Sequence, residues 1–424
     1  MNANTASNAP RSLAARKSHA VVGFALSLAG LLALVSCSKD EAPPIVRLPV
    51  IADAQSLGVN LATTPTGQVV MSWIQRTDTG AELRFSVLED RAWRAPKVIA
   101  DGDDWFVNWA DFPSVVPIDD DTWAAHWLVR SGDSTYAYDV AMSVSTDAGQ
   151  AWSSPISPHS DGTPTEHGFV SMFPWRGEIG AVWLDGRKTI NEYDPENPTA
   201  SGMTLRSAVV QRDGSLRQES LIDDLVCDCC QTDVALTAKG PVVAYRDRTT
   251  KEVRDVFVAS TADGNWQPGA LVNEDDWEIA GCPVNGPALA ASDNRVVASW
   301  FTGARDTATV RIAFSADGGQ RFGAAIDVAI SDTLGRVDTL LTDEGDAIVS
   351  SLHGIGNGRA EIRLQRVSAN GQVSSPLAVA ETSASRLSGF PRLAHHPQGL
   401  VIAWTDAQDE QTTVVAALVD PEQI

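Results

Sequence analysis

Val69-Val70-Met71-Ser72-Trp73-Ile74 is the stretch that decides the architecture. It follows a Gly or Asp turn, alternates in the manner of a strand and runs into Trp or a similar residue near its end. The pattern returns as AAHWLV around Trp127, GAVWLD around Trp183, VVAYRD around Tyr245, VVASWF around Trp300, IVSSLH around Ser351 and VIAWTD around Trp404. The residue numbers give spacings of 54, 56, 62, 55, 51 and 53. A fixed period of this length is the mark of a repeat architecture, in which each unit must bury its apolar faces against its neighbours.

Each unit reads as four strands. In the first these are Val59–Thr63, Val69–Ile74, Glu82–Leu88 and Trp93–Ile99. Four short strands repeated radially make a propeller blade. The expected fold is therefore all-β, a seven-bladed β-propeller, with a solenoid as the structural alternative. The last unit stops after a third strand that begins at Thr412, and Ile45–Ile51 is one strand too many at the start. The N-terminal strand is thus expected to complete the last blade, which removes two exposed sheet edges. Composition agrees: 32 Gly, 22 Pro and 13 Trp against five Met suit strands and tight turns.

The first 36 residues read as an address. Arg11, Arg16 and Lys17 precede an apolar run from Ala20 to Val35, too short to span a bilayer, and then Leu34-Val35-Ser36-Cys37. This resembles a bacterial lipobox, which implies lipidation of Cys37, membrane attachment through that lipid, and a polar tether from 37 to 44. Ser38 after the Cys implies outer-membrane delivery. The domain plan is a signal peptide over 1–36, the tether, and one propeller over 45–424. The whole chain carries a formal charge of −22, and loss of the three cations brings the body to about −25. Nucleic acid is excluded as a partner on that ground. Cys227, Cys229, Cys230 and Cys282 would then lie in an oxidising compartment.

The turns between third and fourth strands carry a second signal. Ser145-Thr146-Asp147-Ala148-Gly149-Gln150-Ala151-Trp152 and Ser315-Ala316-Asp317-Gly318-Gly319-Gln320-Arg321-Phe322 fit S-x-D-x-G-x-x-W/F, and Ser260–Trp266 is a shortened copy. On these residues the chain resembles the sialidase-like, Asp-box (BNR repeat) β-propeller superfamily. The box is structural and carries no chemistry. The resemblance keeps a six-bladed plan open as the alternative to seven.

Strand direction sends the Asp-box turns to one face, the bottom, and gathers the strand-one entrances and the strand-two exits on the top face. Cys227-Asp228-Cys229-Cys230 enters blade four, and Cys282 enters blade five, so the four sulfurs are expected side by side. Three readings stay open: disulfides, a thiolate site for Cu(I) or Zn with His167 and His353 as accessory ligands, and a redox thiol. Further top-face candidates for ligand binding are Trp105, Asn108, Trp109, Asp111, Arg187, Arg246, Asn285, Arg336, Asp338 and Arg392, joined by His159, Asp161 and Arg386. The candidate catalytic groups are Glu166, Asp185, Tyr245 and Asp247. His126 reads as a core histidine.

Sialidases use a Tyr nucleophile paired with Glu, an Asp acid/base and three Arg on the substrate carboxylate, so the resemblance can be tested residue by residue. Arg47-Leu48-Pro49 has the flavour of their Arg-Ile-Pro motif, yet falls on the closing outer strand, and blade one has Asn60 where an Arg is wanted. Tyr245 would need Glu252 or Glu166 as its partner. The reading preferred on these residues is an envelope lipoprotein that binds a glycan, peptide or soft metal ion at the Cys-rich top-face site. The alternative is a glycoside hydrolase, exo-sialidase-like, working through top-face carboxylates and arginines.

Overall fold

The computed structural model describes residues 44–192 and 196–424. The signal segment, Cys37 and the tether as far as Pro43 lie outside the described residues. Seven small antiparallel sheets form a seven-bladed β-propeller, and the six-bladed alternative falls away. The first strands of successive blades neighbour one another all the way round, and the seventh returns to the first.

The ring closes as the unequal chain ends require. Blade seven contains Arg392–His396, Gly399–Gln408 and Gln411–Val419, and its fourth strand is Ile45–Arg47, with Val46 opposite Leu418. Arg47 lies on this outer strand, with its guanidinium 4.3 Å from the Trp404 ring centroid. Blade one is regular: Ser56–Thr63, Val69–Thr77, Gly80–Glu89 and Lys97–Gly102. Blade two is not. It holds only Ser114–Pro117, Trp123–Arg130 and Tyr138–Ser145, and its fourth strand shrinks to a bridge between Met142 and Ile156. Pro155 and Pro158 flank that bridge and cannot donate to a ladder, which corrects the expectation of four strands in every unit.

The repeated aromatic explains why the sheets stack. Trp73 packs with Val401, Ala403 and Ala416 of blade seven, Trp300 with Val242 and Ala244 of blade four, and Trp404 with Ile362 and Leu364 of blade six. In these three blades the second strand thus drives its ring into the blade before it. Burying one such side chain is worth roughly 1.5–3 kcal/mol. Trp73, Trp183, Trp300 and Trp404 are all fully buried.

Acidic side chains lock alternate blades at their inner ends. Asp111 Oδ1 accepts from Phe169 N at 2.8 Å, Asp233 Oδ2 from Leu289 N at 2.7 Å, and Asp338 Oδ2 from Leu393 N at 2.7 Å. Asn285 Oδ1 serves blade six in the same way by accepting from Arg336 N at 2.7 Å. At the opposite face, Asp147 Oδ1 accepts from Gln150 N and Ala151 N, while Ser145 Oγ accepts from Gly149 N. Asp317 and Ser315 repeat those bonds in blade five.

Candidate functional site

The segment from Cys227 to Cys230 turns sharply into blade four, with Cys227 N donating to Arg246 O at 3.0 Å. This turn folds the three thiols onto one another, and their sulfurs all lie within 4.8 Å of each other. The Cys227 and Cys230 sulfurs are 3.3 Å apart. Cys282 arrives from the entrance of blade five, and its thiol meets that of Cys229. The adjacency of the two loops is fixed by Gln231, which donates to Ala110 O at 2.7 Å and accepts from Gly286 N at 2.9 Å. Gly286 is required there because a Cβ would collide with the Gln231 backbone.

All four thiols are free, and they are graded in exposure: Cys227 and Cys230 are buried, Cys229 is half-buried and Cys282 is exposed. Hydrogen bonds from Cys229 and Cys230 hold the Cys227 thiol well below its ordinary pKa, with Arg254 and Arg246 adding positive field. Arg254 Nη1 donates to Cys227 Sγ at 3.3 Å. Burial pushes Cys230 up to about 12. A metal bound at about 2.3 Å from each sulfur needs sulfurs roughly 3.8 Å apart, inside the spread seen here.

His167 and His353 do not join this group. The His353 Nε2 sits 2.9 Å from Ser351 Oγ, and its Nδ1 faces Asp332. His167 belongs to a second cluster. Its ring stacks on His159 with centroids 3.9 Å apart and planes at 10°. Its Nδ1 is 3.2 Å from Asp139 Oδ1, and its Nε2 is 3.3 Å from Asp161 Oδ2. Burial opposes protonation of His167, yet Asp139, Asp185 and Asp161 raise its pKa, while burial and His167 press His159 down to about 4. Asp185 is fully buried and engaged: it accepts from Trp183 Nε1 at 2.8 Å and from the Arg187 guanidinium at 2.7 Å through each oxygen. Asp185 and Arg187 therefore serve this cluster and are not open to a ligand.

A third constellation joins two residues named from the sequence, Asp111 and Glu166, to one that was not, Tyr138. Tyr138 Oη lies 2.7 Å from Glu166 Oε1 and 3.0 Å from Asp111 Oδ2, all under a parallel Phe106 ring 4.0 Å away. Burial raises Asp111 to about 8 and Glu166 to about 7. Gly168 makes room, since a Cβ there would strike the Asp111 carboxylate. The repeat register places the Asp111 and Glu166 loops on adjacent blades, a signal that would have pointed to Tyr138 at the start of a third strand on the same face.

The remaining candidates separate. Tyr245 is fully buried between blades, and its hydroxyl donates to Asp223 at 2.7 Å, not to Glu252 or Glu166. Glu252 is held by Arg248 and Arg254. Asp247 lies nearby, raised to about 7 by burial and Asp223. Arg246 spends its guanidinium on the carbonyls of Asn285, Arg254 and Phe301, and Arg336 on Ser385 O, Ser388 Oγ and Gly389 O. Trp105 is buried in a stack on Trp127, and Asn108 caps the turn by accepting from Ala110 N. These residues hold loops, and Trp105 also lines a cleft of about 220 Å³ with Arg76 and Arg130. Trp109, half-buried, stacks on Phe390 and lies under Arg336 and Arg386. Asp111, Asp233 and Arg392 line the central channel, a cavity of about 220 Å³, with Asn60 also at its wall. Arg392 lies 3.4 Å from Asp338.

No family model and no curated protein matches the chain. Among solved structures it is similar to a protein of unknown function from Dyadobacter fermentans, at 13% identity over 89% of this chain and 99% of that one, with a TM-score of 0.51. It is also similar to the Hadza microbial sialidase Hz136, at 14% identity over 70% and 63% of the two chains, with a TM-score of 0.42. The α-L-arabinofuranosidase Arb93A of Fusarium graminearum aligns at 14% identity over 89% and 98%, with a TM-score of 0.47. At such identities the likeness is one of fold alone.

Proposed function

We propose that the protein is a lipid-anchored envelope propeller that binds a soft metal ion, Cu(I) or Zn(II), through Cys227, Cys229 and Cys230, with Cys282 as the fourth sulfur. The observation that carries this reading is the convergence of three sulfurs within 4.8 Å of one another at a junction between two blades. Soft thiolates select Cu(I) and Zn, and the guanidinium of Arg254 offsets the charge of a multi-thiolate centre. The graded exposure offers a route in: an ion meets Cys282, passes to Cys229 and is held by the buried pair. The anchor through Cys37 would hold the protein at a membrane.

A second reading, hydrolysis of glycans, draws on the bond between Tyr138 and Glu166, because a Tyr–carboxylate pair is the nucleophilic unit of sialidases. It is the weaker reading. Tyr138 is 1% exposed, and Arg246 and Arg336 are consumed by the protein's own carbonyls and hydroxyl.

Purification under anaerobic conditions without chelator, followed by elemental analysis and thiol counting by mass, tests the metal reading. One equivalent of Cu or Zn with four free thiols supports it. Two disulfides and no stoichiometric metal sink it, and a lipid mass on Cys37 reports separately on the anchor.

A further inference from the structure

The four sulfurs are not equivalent to a reagent arriving from solvent. Cys282 alone is exposed, Cys229 is half-buried, and Cys227 and Cys230 are 0% and 2% exposed. The thiols of Cys282 and Cys229 are hydrogen-bonded to each other across the junction of blades four and five. An accessible thiol with a second thiol in contact with it is the arrangement of a redox-responsive pair.

Other pairings are closed by geometry. Cys229 and Cys230 are neighbours in sequence, so their Cα atoms stand about 3.8 Å apart, short of the roughly 4.4 Å at which disulfides begin. Cys227 and Cys230 have sulfurs 3.3 Å apart, but both are buried, out of reach of an oxidant in solvent. The Cys282 loop, by contrast, can yield. It is pinned on one side at Asn285 and Gly286, by Arg336 N and Gln231, and on the other at Ile279, whose N–H donates to Glu252 O at 2.9 Å. Between these pins no backbone N–H from Ala280 to Val284 donates to another backbone group among the described residues. A Cβ at Gly281 would meet nothing nearer than 3.9 Å. A stretch so weakly held opens at low cost, and drawing two contacting sulfurs to the roughly 2.05 Å of a disulfide asks for little more than its displacement.

We propose that Cys282 and Cys229 form a reversible redox latch: a peroxide converts them into an interblade disulfide, which withdraws two of the four sulfurs from the metal site. The disulfide stands on the arrangement of the thiols alone, while its effect on metal rests on the reading given above. Cys282, as its thiolate, attacks one peroxide oxygen. An S–O bond forms, the O–O bond breaks, and the departing hydroxide takes up the proton that the thiol released and leaves as water. Cys229 then attacks the sulfenic sulfur: the S–S bond forms, the S–O bond breaks, and a second water carries away the Cys229 proton. Two electrons have passed from the thiol pair to the peroxide. A dithiol reductant restores both thiols by exchange. Cys227 and Cys230 stay reduced throughout.

The test treats the metal-free full chain with one equivalent of hydrogen peroxide, blocks free thiols with a maleimide after denaturation, and maps the peptides without reduction. The expected product is a single disulfide joining Cys229 to Cys282, with maleimide on Cys227 and Cys230. In C229S the sulfenic acid on Cys282 should persist and be trapped by dimedone, and in C282S the first equivalent should yield no disulfide. The map of the unmutated chain stands even if a variant misfolds. A first disulfide between Cys227 and Cys230, or a wild-type Cys282 that is oxidised without pairing, would overturn the proposal. Competition with a Cu(I) chelator then compares reduced and oxidised protein. Oxidation should lower affinity by more than the about 10- to 100-fold that loss of an outer-shell partner costs, and dithiothreitol should restore it. Equal affinity of the two forms would overturn the control over metal. A reduced protein that binds no Cu(I) but still forms the Cys229–Cys282 bond would overturn the metal reading and support the latch.

Discussion

Replacing Asp111 by Asn should make the protein more stable at slightly alkaline pH and leave it nearly unchanged at acid pH. The reason is proton counting around one phenol. Tyr138 has a single hydroxyl proton, and two carboxyl groups lie within hydrogen-bond distance of its oxygen. If that proton goes to Glu166 at 2.7 Å, Asp111 can bond the phenol only by carrying a proton of its own. Asn supplies the same geometry permanently: its Nδ2 donates to Tyr138 and its Oδ1 still accepts from Phe169 N.

The magnitude follows from linkage. Asp111 has a folded pKa of about 8, set by burial, against roughly 3.9 in the unfolded chain. A raised folded pKa means the folded state holds the extra proton, so the stabilising contribution is complete below about pH 3.9 and is lost as pH rises towards 8. Each pH unit in that window removes up to about 1.4 kcal/mol, or about 3 kcal/mol between pH 5 and 7.5. Urea unfolding of wild type and D111N at a series of pH values measures it. The stability difference should grow in favour of the mutant by at least about 1.5 kcal/mol across that range, allowing for relaxation around an ionised carboxylate. A difference that stays constant with pH, or a mutant destabilised throughout, would refute the proton count.

Other consequences are sharper for single contacts. Trp300 donates from Nε1 to Asp275 at 2.6 Å, whereas Trp73 Nε1 has no partner, so Trp300→Phe should cost about 1–2 kcal/mol more than Trp73→Phe in denaturant unfolding. Asp338→Ala removes bonds to Leu393 N and Thr339 N and leaves Arg392 without its partner, and calorimetry should show a loss of about 3–5 kcal/mol. Deleting Ile45–Arg47 bares the edge of Gln411–Val419, and light scattering should report self-association that the intact chain lacks. In Cu(I) competition assays, Cys227→Ser should weaken binding more than Cys282→Ser, because Cys227 is buried and paired with Arg254 while Cys282 is the exposed rim ligand.

The fold was legible because every blade repeats one physical problem. A sheet stacked on both faces needs apolar residues throughout, and six of the seven centres from Trp73 to Trp404 add a large ring, Ser351 being the exception. Blade two hid its shortened fourth strand because Pro155 and Pro158 sit in an otherwise strand-like stretch. The meeting of Cys227, Cys229, Cys230 and Cys282 was legible from register alone, since each loop enters a neighbouring blade. Asp139 and Tyr138 were not. They open a third strand, where a polar residue reads as an edge position, and nothing local announces the imidazoles arriving from the next connection. Arg246 and Arg336 misled for the opposite reason. An arginine in a top loop has the same sequence signature whether its five donors face a ligand or, as here, the loop's own carbonyls.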